Sequence, residues 1–205
     1  MAWGEVRSGR ALDRLINFSD AVVAVAVTIL ALPLVDIAGP EDGQTMMDVL
    51  REHSGELQTF VITFFVVAIM WSVHNRIMNN LERYDSAVFI LSVMWLIGFV
   101  LLPWPSSLYS GSDLQTEVTT GGDPNGAGVF YWLTLAYISL VGALTSWHVS
   151  RHPELLEPSR RKQWHLMQTS PARFRGLAFT AVFVIAAIAT HFYYWMGNYC
   201  LLLLF

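Results

Sequence analysis

The chain has 205 residues, of which 54% are apolar and only 14% are charged, and its mean hydropathy is +0.46. Soluble domains average about 25% charged residues, so the low charge here indicates a protein that lipid partly covers. The single cysteine, Cys200, excludes an intramolecular disulfide and a cysteine-based metal cluster.

Apolar segments long enough to cross a bilayer recur along the chain, at residues 15–35, 58–78, 86–108, 129–149 and 174–195. The first would form a helix of about 31 Å, which matches a hydrocarbon core of about 30 Å. The apolar run at 199–205 is too short to span, and we predict that it is a truncated sixth helix. The sequence therefore predicts an all-α, polytopic membrane protein of about six transmembrane helices, with residues 1–205 forming one transmembrane domain.

Basic residues predict the orientation of these helices. Eleven of the twelve Lys and Arg residues lie before the first segment, or in and beside the connections from the second segment to the third and from the fourth to the fifth; Arg51 is the exception. Because cytoplasmic loops are enriched in Lys and Arg, the N-terminus and the loop at 150–173 are predicted to be cytoplasmic. We interpret this basic loop as a topology determinant that touches anionic lipid headgroups, and we expect no nucleic-acid partner.

The first apolar segment, RLINFSDAVVAVAVTILALPL, contains polar residues that a lipid-facing helix should not carry. A carboxylate within a membrane helix costs at least a few kcal/mol, so it normally faces protein or water. We expect Asp20 to pair with Arg14 or with the His74–Asn75 pair, which ends the second segment on the same side. The predicted interhelical polar network comprises Arg14, Ser19, Asp20, His74 and Asn75.

A second pattern in this segment concerns Ala21, Val25, Thr28 and Leu32. Their spacing of i, i+4, i+7 and i+11 places them on one stripe of a helix. The residues around them are mostly small or β-branched, which allows helices to approach closely. Several copies around an axis would form a narrow apolar throat. The alternative for Thr28 is that its hydroxyl simply bonds a carbonyl of its own helix.

Two motifs resemble those of the transmembrane protein 175 family of potassium channels in its single-repeat prokaryotic form. The first is Arg14-x-x-x-Phe18-Ser19-Asp20 ahead of an apolar helix. The second lies in residues 70–108 and comprises Trp71, His74-Asn75, Tyr84-Asp85 and Leu102-Pro103-Trp104-Pro105. The resemblance is close over the first half of the chain and extends to the second half mainly through the pattern of spans.

The resemblance implies a tetramer in which the first helix of each subunit lines a central pore. Family members constrict this pore with rings of apolar side chains, and a nearby threonine layer contributes to the preference for K⁺ over Na⁺. Carried onto this chain, Val25 is the constriction, Thr28 the threonine layer, and Ala21 and Leu32 flank them. Val25 is smaller than the Ile or Leu usual there, which implies either a wider throat or a register shifted by one residue.

The same resemblance implies the remaining expectations. K⁺ would pass near Thr28 without a fixed metal site, and no cofactor is expected. The network of Ser19, Asp20, His74 and Asn75 would hold the pore helix in place. The partners would be further copies of the chain and the lipid bilayer of a prokaryotic plasma membrane.

Other functions remain open from the residues alone. Asp20 and His74 could relay protons, which would make the protein a proton-conducting or proton-coupled transporter. A membrane enzyme could use Asp20, His74 and Asp85, but no metal-ligand spacing, nucleophile elbow or phosphate loop accompanies them. The pair His148 and His152 lacks a third metal ligand. We therefore predict that the chain is not an enzyme, and a scaffold without transport activity is the remaining alternative.

Overall fold

The computed structural model describes residues 7–110, 125–161 and 175–192, and these form an all-α bundle. The helices are α1 (Arg10–Leu30), α2 (Leu32–Val35), α3 (Met46–Glu52), α4 (Ser54–Met78), α5 (Ser86–Leu101), α6 (Pro103–Ser110), α7 (Gly126–Arg151) and α8 (Arg175–Phe192). Two-residue strands, β1 (Arg7–Ser8) and β2 (Arg83–Tyr84), pair antiparallel, and a 3₁₀ turn covers Pro153–Leu155.

Prolines interrupt two of the membrane-spanning segments, and each segment continues as a second short helix. Pro33 lies in the first turn of α2, and Pro103 begins α6 directly after Leu102. Because proline lacks an N–H and its ring collides with the preceding turn, a helix breaks at such a position and restarts beyond it. The pairs α1–α2 and α5–α6 therefore each act as one apolar segment.

Helices of membrane-spanning length and composition cover Arg10–Val35, Ser54–Met78, Ser86–Ser110 and Gly126–Arg151. They include the first four predicted segments and begin up to five residues earlier, because amphipathic and polar end residues continue the helix into the interface. The fifth predicted segment corresponds to the shorter apolar helix Gly176–Phe192. The predicted sixth helix at 199–205 lies outside the described residues. The all-α membrane fold expected from the sequence is confirmed.

Helix α7 lies at the centre of the bundle and packs against α5, α6 and α8. Its residues Tyr131, Trp132, Leu135 and Ile138 are almost completely buried. Close approach to α5 depends on Gly98, since a Cβ there would lie 2.5 Å from Cγ1 of Ile138. Small residues at helix contacts are how membrane helices gain packing contacts that lipid cannot offer.

A second apolar cluster closes the end of the bundle that is predicted to be cytoplasmic. It joins residues of α1, α4, α5 and α7 to the connections after α4 and α7: Leu12, Leu15, Ile77, Met78, Leu81, Tyr84, Val88, Val149, Leu155 and Leu156. The backbone of Glu82 donates to Leu155 O at 2.9 Å, and Glu157 donates to Asn80 O at 3.1 Å. The start of the loop after α7 thus packs on the bundle. This contact comes in addition to the predicted role of the basic loop in setting the orientation of the helices.

Replacing Gly98 by alanine tests the α5–α7 contact. The added methyl group must displace Ile138 or Tyr137, and overpacking of this kind typically costs about 1–3 kcal/mol. Gly142 on α7 is the matched control, because a Cβ there makes only ordinary contacts with Trp95, and alanine favours the helix by up to about 1 kcal/mol. In thermal unfolding of the detergent-solubilised protein, the melting temperature of Gly98→Ala should lie well below that of Gly142→Ala. Equal melting temperatures would contradict the close contact.

Candidate functional site

Helix α1 has two chemically different faces. The face packed on the bundle comprises Leu12, Leu15, Ser19, Val23, Ala26 and Leu30. The opposite face is uncovered along its whole length. Its exposed residues are Asp13, Arg14, Asn17, Phe18, Ala21, Ala24, Val25, Thr28 and Ile29, with Leu32 and Val35 continuing it in α2. We call this second set the open face of α1.

All residues predicted to line the pore lie on the open face. Val25 and Leu32 are 58% and 56% exposed, and Ala21 and Thr28 are also exposed. Leu32 keeps this orientation although Ala31 separates α1 from α2. The structure therefore brings the four residues onto one surface that no other part of the described chain covers.

The Thr28 hydroxyl donates to Val25 O at 2.7 Å, as expected for a threonine in an apolar helix. This bond uses the hydroxyl hydrogen and leaves lone pairs on the oxygen. A hydroxyl in this state cannot donate further, but it can accept from water or coordinate a cation. The backbone bond and a role as an oxygen ligand are therefore compatible.

Asp20 has a different partner from those expected. Trp71 Nε1 on α4 donates to Asp20 Oδ1 at 2.8 Å. The predicted pairing with Arg14 or with His74–Asn75 is wrong within the described residues, because the indole of Trp71 lies one turn ahead of that pair and reaches the carboxylate instead. Asp20 still joins α1 to α4, as the predicted network requires.

The other members of the predicted network make separate contacts. Ser19 is buried and donates to Leu15 O in its own helix at 2.9 Å. His74 is buried and stacks on Trp95, with ring centroids 3.9 Å apart, and its nitrogens have no hydrogen-bond partner among the described residues. Asn75 accepts from Asn79. Arg14 is exposed on the open face. Among the described residues, the side chains of the predicted network therefore do not hydrogen-bond to one another; Trp71 contacts Asp20, and Trp95 stacks on His74.

In the sequence, Trp71 stands out only as part of a family motif, and its contact with Asp20 is not among the predicted pairings. The signal was present in the spacing, since Trp71, His74 and Asn75 follow the i, i+3, i+4 pattern of one helix face. The pattern predicts a shared face but not which of the three side chains meets the carboxylate, which depends on the rotation of α4.

A small cavity of about 10 Å³ lies between the ends of α1, α4 and α6 that are predicted to face outward. Its lining includes Glu56 and the buried residues Thr59 and Ser106. A volume of this size holds about one water molecule. The cavity is too small to be a permeation route. Within the described residues, no group of three or more His, Cys, Asp or Glu side chains is placed to hold a metal ion.

Comparison with known proteins connects this helix arrangement to a family. The family model described as endosomal/lysosomal potassium channel TMEM175 matches residues 14–103, which include the open face of α1, Asp20, and the Trp71–His74–Asn75 face of α4. Residues 14–103 belong to the TMEM175 family. The resemblance inferred from the two motifs is therefore confirmed. The family is an ion-channel family, and the prediction that the chain is not an enzyme is confirmed as well.

Individual relatives carry two different names. A protein named potassium channel from Streptomyces collinus is 29% identical over 150 residues, which cover 71% of this chain and 68% of the relative. A potassium channel from Chamaesiphon minutus is 24% identical over 60% of this chain and 61% of its own length. The human endosomal/lysosomal proton channel TMEM175 is 25% identical over 75% of this chain, which spans only 29% of that relative.

The contact between Trp71 and Asp20 can be tested by Trp71→Phe, which keeps an aromatic ring and removes the N–H donor. Hydrogen bonds to charged groups contribute about 1.5–3 kcal/mol, so we expect a loss of stability in this range. The control is Trp104→Phe, because Trp104 is 60% exposed and makes an edge contact with Phe130. Thermal stability measured by size-exclusion chromatography should fall for Trp71→Phe alone. Similar values for the two variants would argue against an anchoring role for the bond.

Proposed function

We propose that this chain forms a potassium-preferring cation channel in which the open faces of α1 from several subunits surround a central pore. The supporting observation is that face itself, which is long and uncovered and carries the small, β-branched and hydroxyl-bearing residues Ala21, Val25 and Thr28 in its middle. We further propose a tetramer, following the resemblance, with the constriction at Val25 and the threonine layer at Thr28.

The composition of the open face argues for a pore rather than for lipid contact. Helix α5 also exposes one face, and there the residues are bulky: Phe89, Ile90, Val93, Ile97 and Val100. Lipid tails accept bulky apolar residues at no cost. The open face instead carries Ala21, Ala24 and Thr28 at its middle, and such residues suit close helix approach or a narrow water-filled path.

The mechanism follows from the size and polarity of these side chains. A ring of Val25 side chains offers no replacement for the hydration shell of an ion, so it blocks conduction by dewetting when it is narrow. Small movements of α1 would widen the ring and admit water. The oxygen lone pairs of Thr28, one turn away, would then replace part of the water that an ion loses.

Charge at the end of the path favours cations. The connection after α2 exposes Asp36, Glu41 and Asp42 on the side predicted to be external. Carboxylates raise the local concentration of cations within a Debye length, about 8 Å at physiological salt. The preference for K⁺ over Na⁺ is supported by the names of the bacterial relatives. Their prokaryotic origin also supports a plasma-membrane location.

Proton conduction is the second candidate, because the vertebrate relatives are named proton channels. A relay through Asp20 and His74 would need a hydrogen-bonded path between them. In the structure Asp20 accepts from Trp71, and His74 stacks on Trp95. These contacts favour a structural role for both residues. The variant Asp20→Asn discriminates between the two functions. If Asp20 relays protons, the variant should assemble normally but lose proton flux. If Asp20 is structural, the variant should lose stability before any effect on flux.

Cysteine accessibility tests whether Val25 faces the pore. In a Cys200→Ser background, a cationic thiosulfonate reagent should lower the K⁺ current of Val25→Cys by about fivefold or more, because it places a charged group in the apolar ring. The control is Ile97→Cys, near the middle of the apolar segment Ser86–Ser110 and on the exposed face of α5, where the reagent should leave the current unchanged. Block of both variants, or of neither, would contradict the proposed pore face.

The role of Thr28 is tested by removing its oxygen while keeping its shape. Thr28→Val should lower the K⁺/Na⁺ permeability ratio by about three- to tenfold, equivalent to about 0.7–1.4 kcal/mol. Thr28→Ser retains the hydroxyl and should retain most of the preference. Reversal potentials of liposome patches with K⁺ on one side and Na⁺ on the other give the ratio directly. An unchanged ratio in Thr28→Val would exclude the hydroxyl from selectivity.

A further inference from the structure

Titratable side chains form a chain of contacts at the end of the bundle where α7 finishes. His148 Nε2 lies 2.8 Å from Asp85 Oδ2, the rings of His148 and His152 are 4.5 Å apart, and His152 Nδ1 lies 2.8 Å from Glu154 Oε1. We call these four residues the histidine latch. They join the start of α5, the last turn of α7 and the 3₁₀ turn.

Asp85 has two structural roles in the latch. Its Oδ1 accepts from the backbone N–H of Val88 at 2.8 Å and caps α5, while its Oδ2 faces His148. Burial raises the pKa of Asp85, but the hydrogen bonds from Val88 and His148 and the nearby histidine charges outweigh burial, so the pKa lies below its ordinary value. The backbone N–H of Glu154 and the His152 contact likewise lower the pKa of Glu154. Both carboxylates are therefore charged at neutral pH. Imidazole is the side chain whose charge ordinarily changes within the physiological pH range.

The charge balance of the latch depends on these histidines. When both histidines are neutral, the negative charges of Asp85 and Glu154 are not balanced within the latch. They lie near the C-terminal end of α7, where the helix dipole is also negative. When both are protonated, each imidazolium has its own carboxylate and the cluster is balanced. Stabilisation by the latch is thus present when the histidines are protonated and is lost when they are neutral.

Other charged groups in this region keep their own partners. Arg83 pairs with Glu82 at 3.3 Å, Arg160 pairs with Glu157 at 3.0 Å, and Arg151 lies over the Trp147 ring at 4.1 Å. Arg161 donates to Leu156 O at 3.2 Å. Arginine stays protonated throughout the physiological range, so these arginines add a constant positive field and no titration of their own.

The latch is directly connected to the start of α1. Tyr84, which precedes Asp85, pairs with Arg7 in the β1–β2 ladder, and α1 begins at Arg10. Tyr84 and Val88 also share the apolar cluster in which Leu12 and Leu15 are buried. A change in how α7 holds Asp85 therefore reaches the first turns of α1 through both the backbone ladder and side-chain packing.

We propose that the histidine latch is a pH-sensitive clamp that fixes the start of α1 when the histidines are protonated and releases it when they are neutral. The proton is the ligand of this site, and the affected element is the helix that carries the open face. The clamp does not depend on ion permeation. Its effect on current rests on the proposed channel function.

Hydrogen exchange tests the clamp without reference to current. In nanodiscs, amides of residues 7–15 and 84–89 should be protected about fivefold more at pH 6 than at pH 8, after correction for intrinsic exchange, as expected for a partly exposed ion pair. His148→Gln should abolish this difference. Asp85→Asn should abolish it too, while Asn still caps α5, so loss of the cap cannot explain the result. The matched control is His53→Gln, because His53 makes a similar contact with Glu56, at 3.4 Å, on the opposite side of the bundle.

The outcomes separate the clamp from the channel. A pH difference that persists in His148→Gln and Asp85→Asn, or that His53→Gln also removes, would overturn the clamp. If the exchange result holds, current recorded with pH varied on the α7 C-terminal side should change at least about twofold between pH 8 and 6, and not in His148→Gln. Absence of any current would count against the proposed function and would leave the exchange result standing.

Discussion

The hydrogen bond from Trp71 to Asp20 sets the rotation of α1, and the rest of the site depends on that rotation. An ionised carboxylate within an apolar helix needs a donor, and here the donor comes from α4 at 2.8 Å. With Asp20 turned toward α4, Ala21, Val25 and Thr28 point away from the bundle. Rotating α1 to bury Val25 would remove the carboxylate from its donor. The polar contact therefore determines which apolar residues stay uncovered.

Packing alone would hold α1 weakly. It is the least buried of the four helices of membrane-spanning length, and the core residues in its middle, Val23 and Ala26, are small. Its ends are held differently. The start is fixed by the β1–β2 ladder and by Leu12 and Leu15 in the apolar cluster, whereas the other end breaks at Ala31 and continues as α2. A helix anchored at one end and by one polar bond can respond to changes at that anchor.

The sequence was sufficient to predict the elements whose signals are local. Apolar runs and proline positions depend on neighbouring residues, and the exposed orientation of Ala21, Val25 and Thr28 follows from helix periodicity once Ser19 is buried. The partner of Asp20 could not be predicted, because Trp71, His74 and Asn75 share one face and only the packed rotation of α4 selects the indole. Docking of Leu155 and Leu156 was also missed, since two leucines in a basic loop carry no periodic pattern. The pore roles of the open face remain predictions.

The open face also explains why one subunit is insufficient for the proposed function. In lipid, apolar side chains lose nothing by staying exposed, so hydrophobicity cannot drive these faces together. Assembly must instead come from close packing, and small residues such as Ala21 and Ala24 permit it. The same small residues leave room for an ion path, while the Thr28 hydroxyl, already bonded to Val25 O, offers oxygen lone pairs without exposing an unsatisfied donor. The proposed function requires a helix face that tolerates lipid, packs closely against other copies of itself and offers oxygen ligands to a cation. The same residues of the open face can meet these requirements.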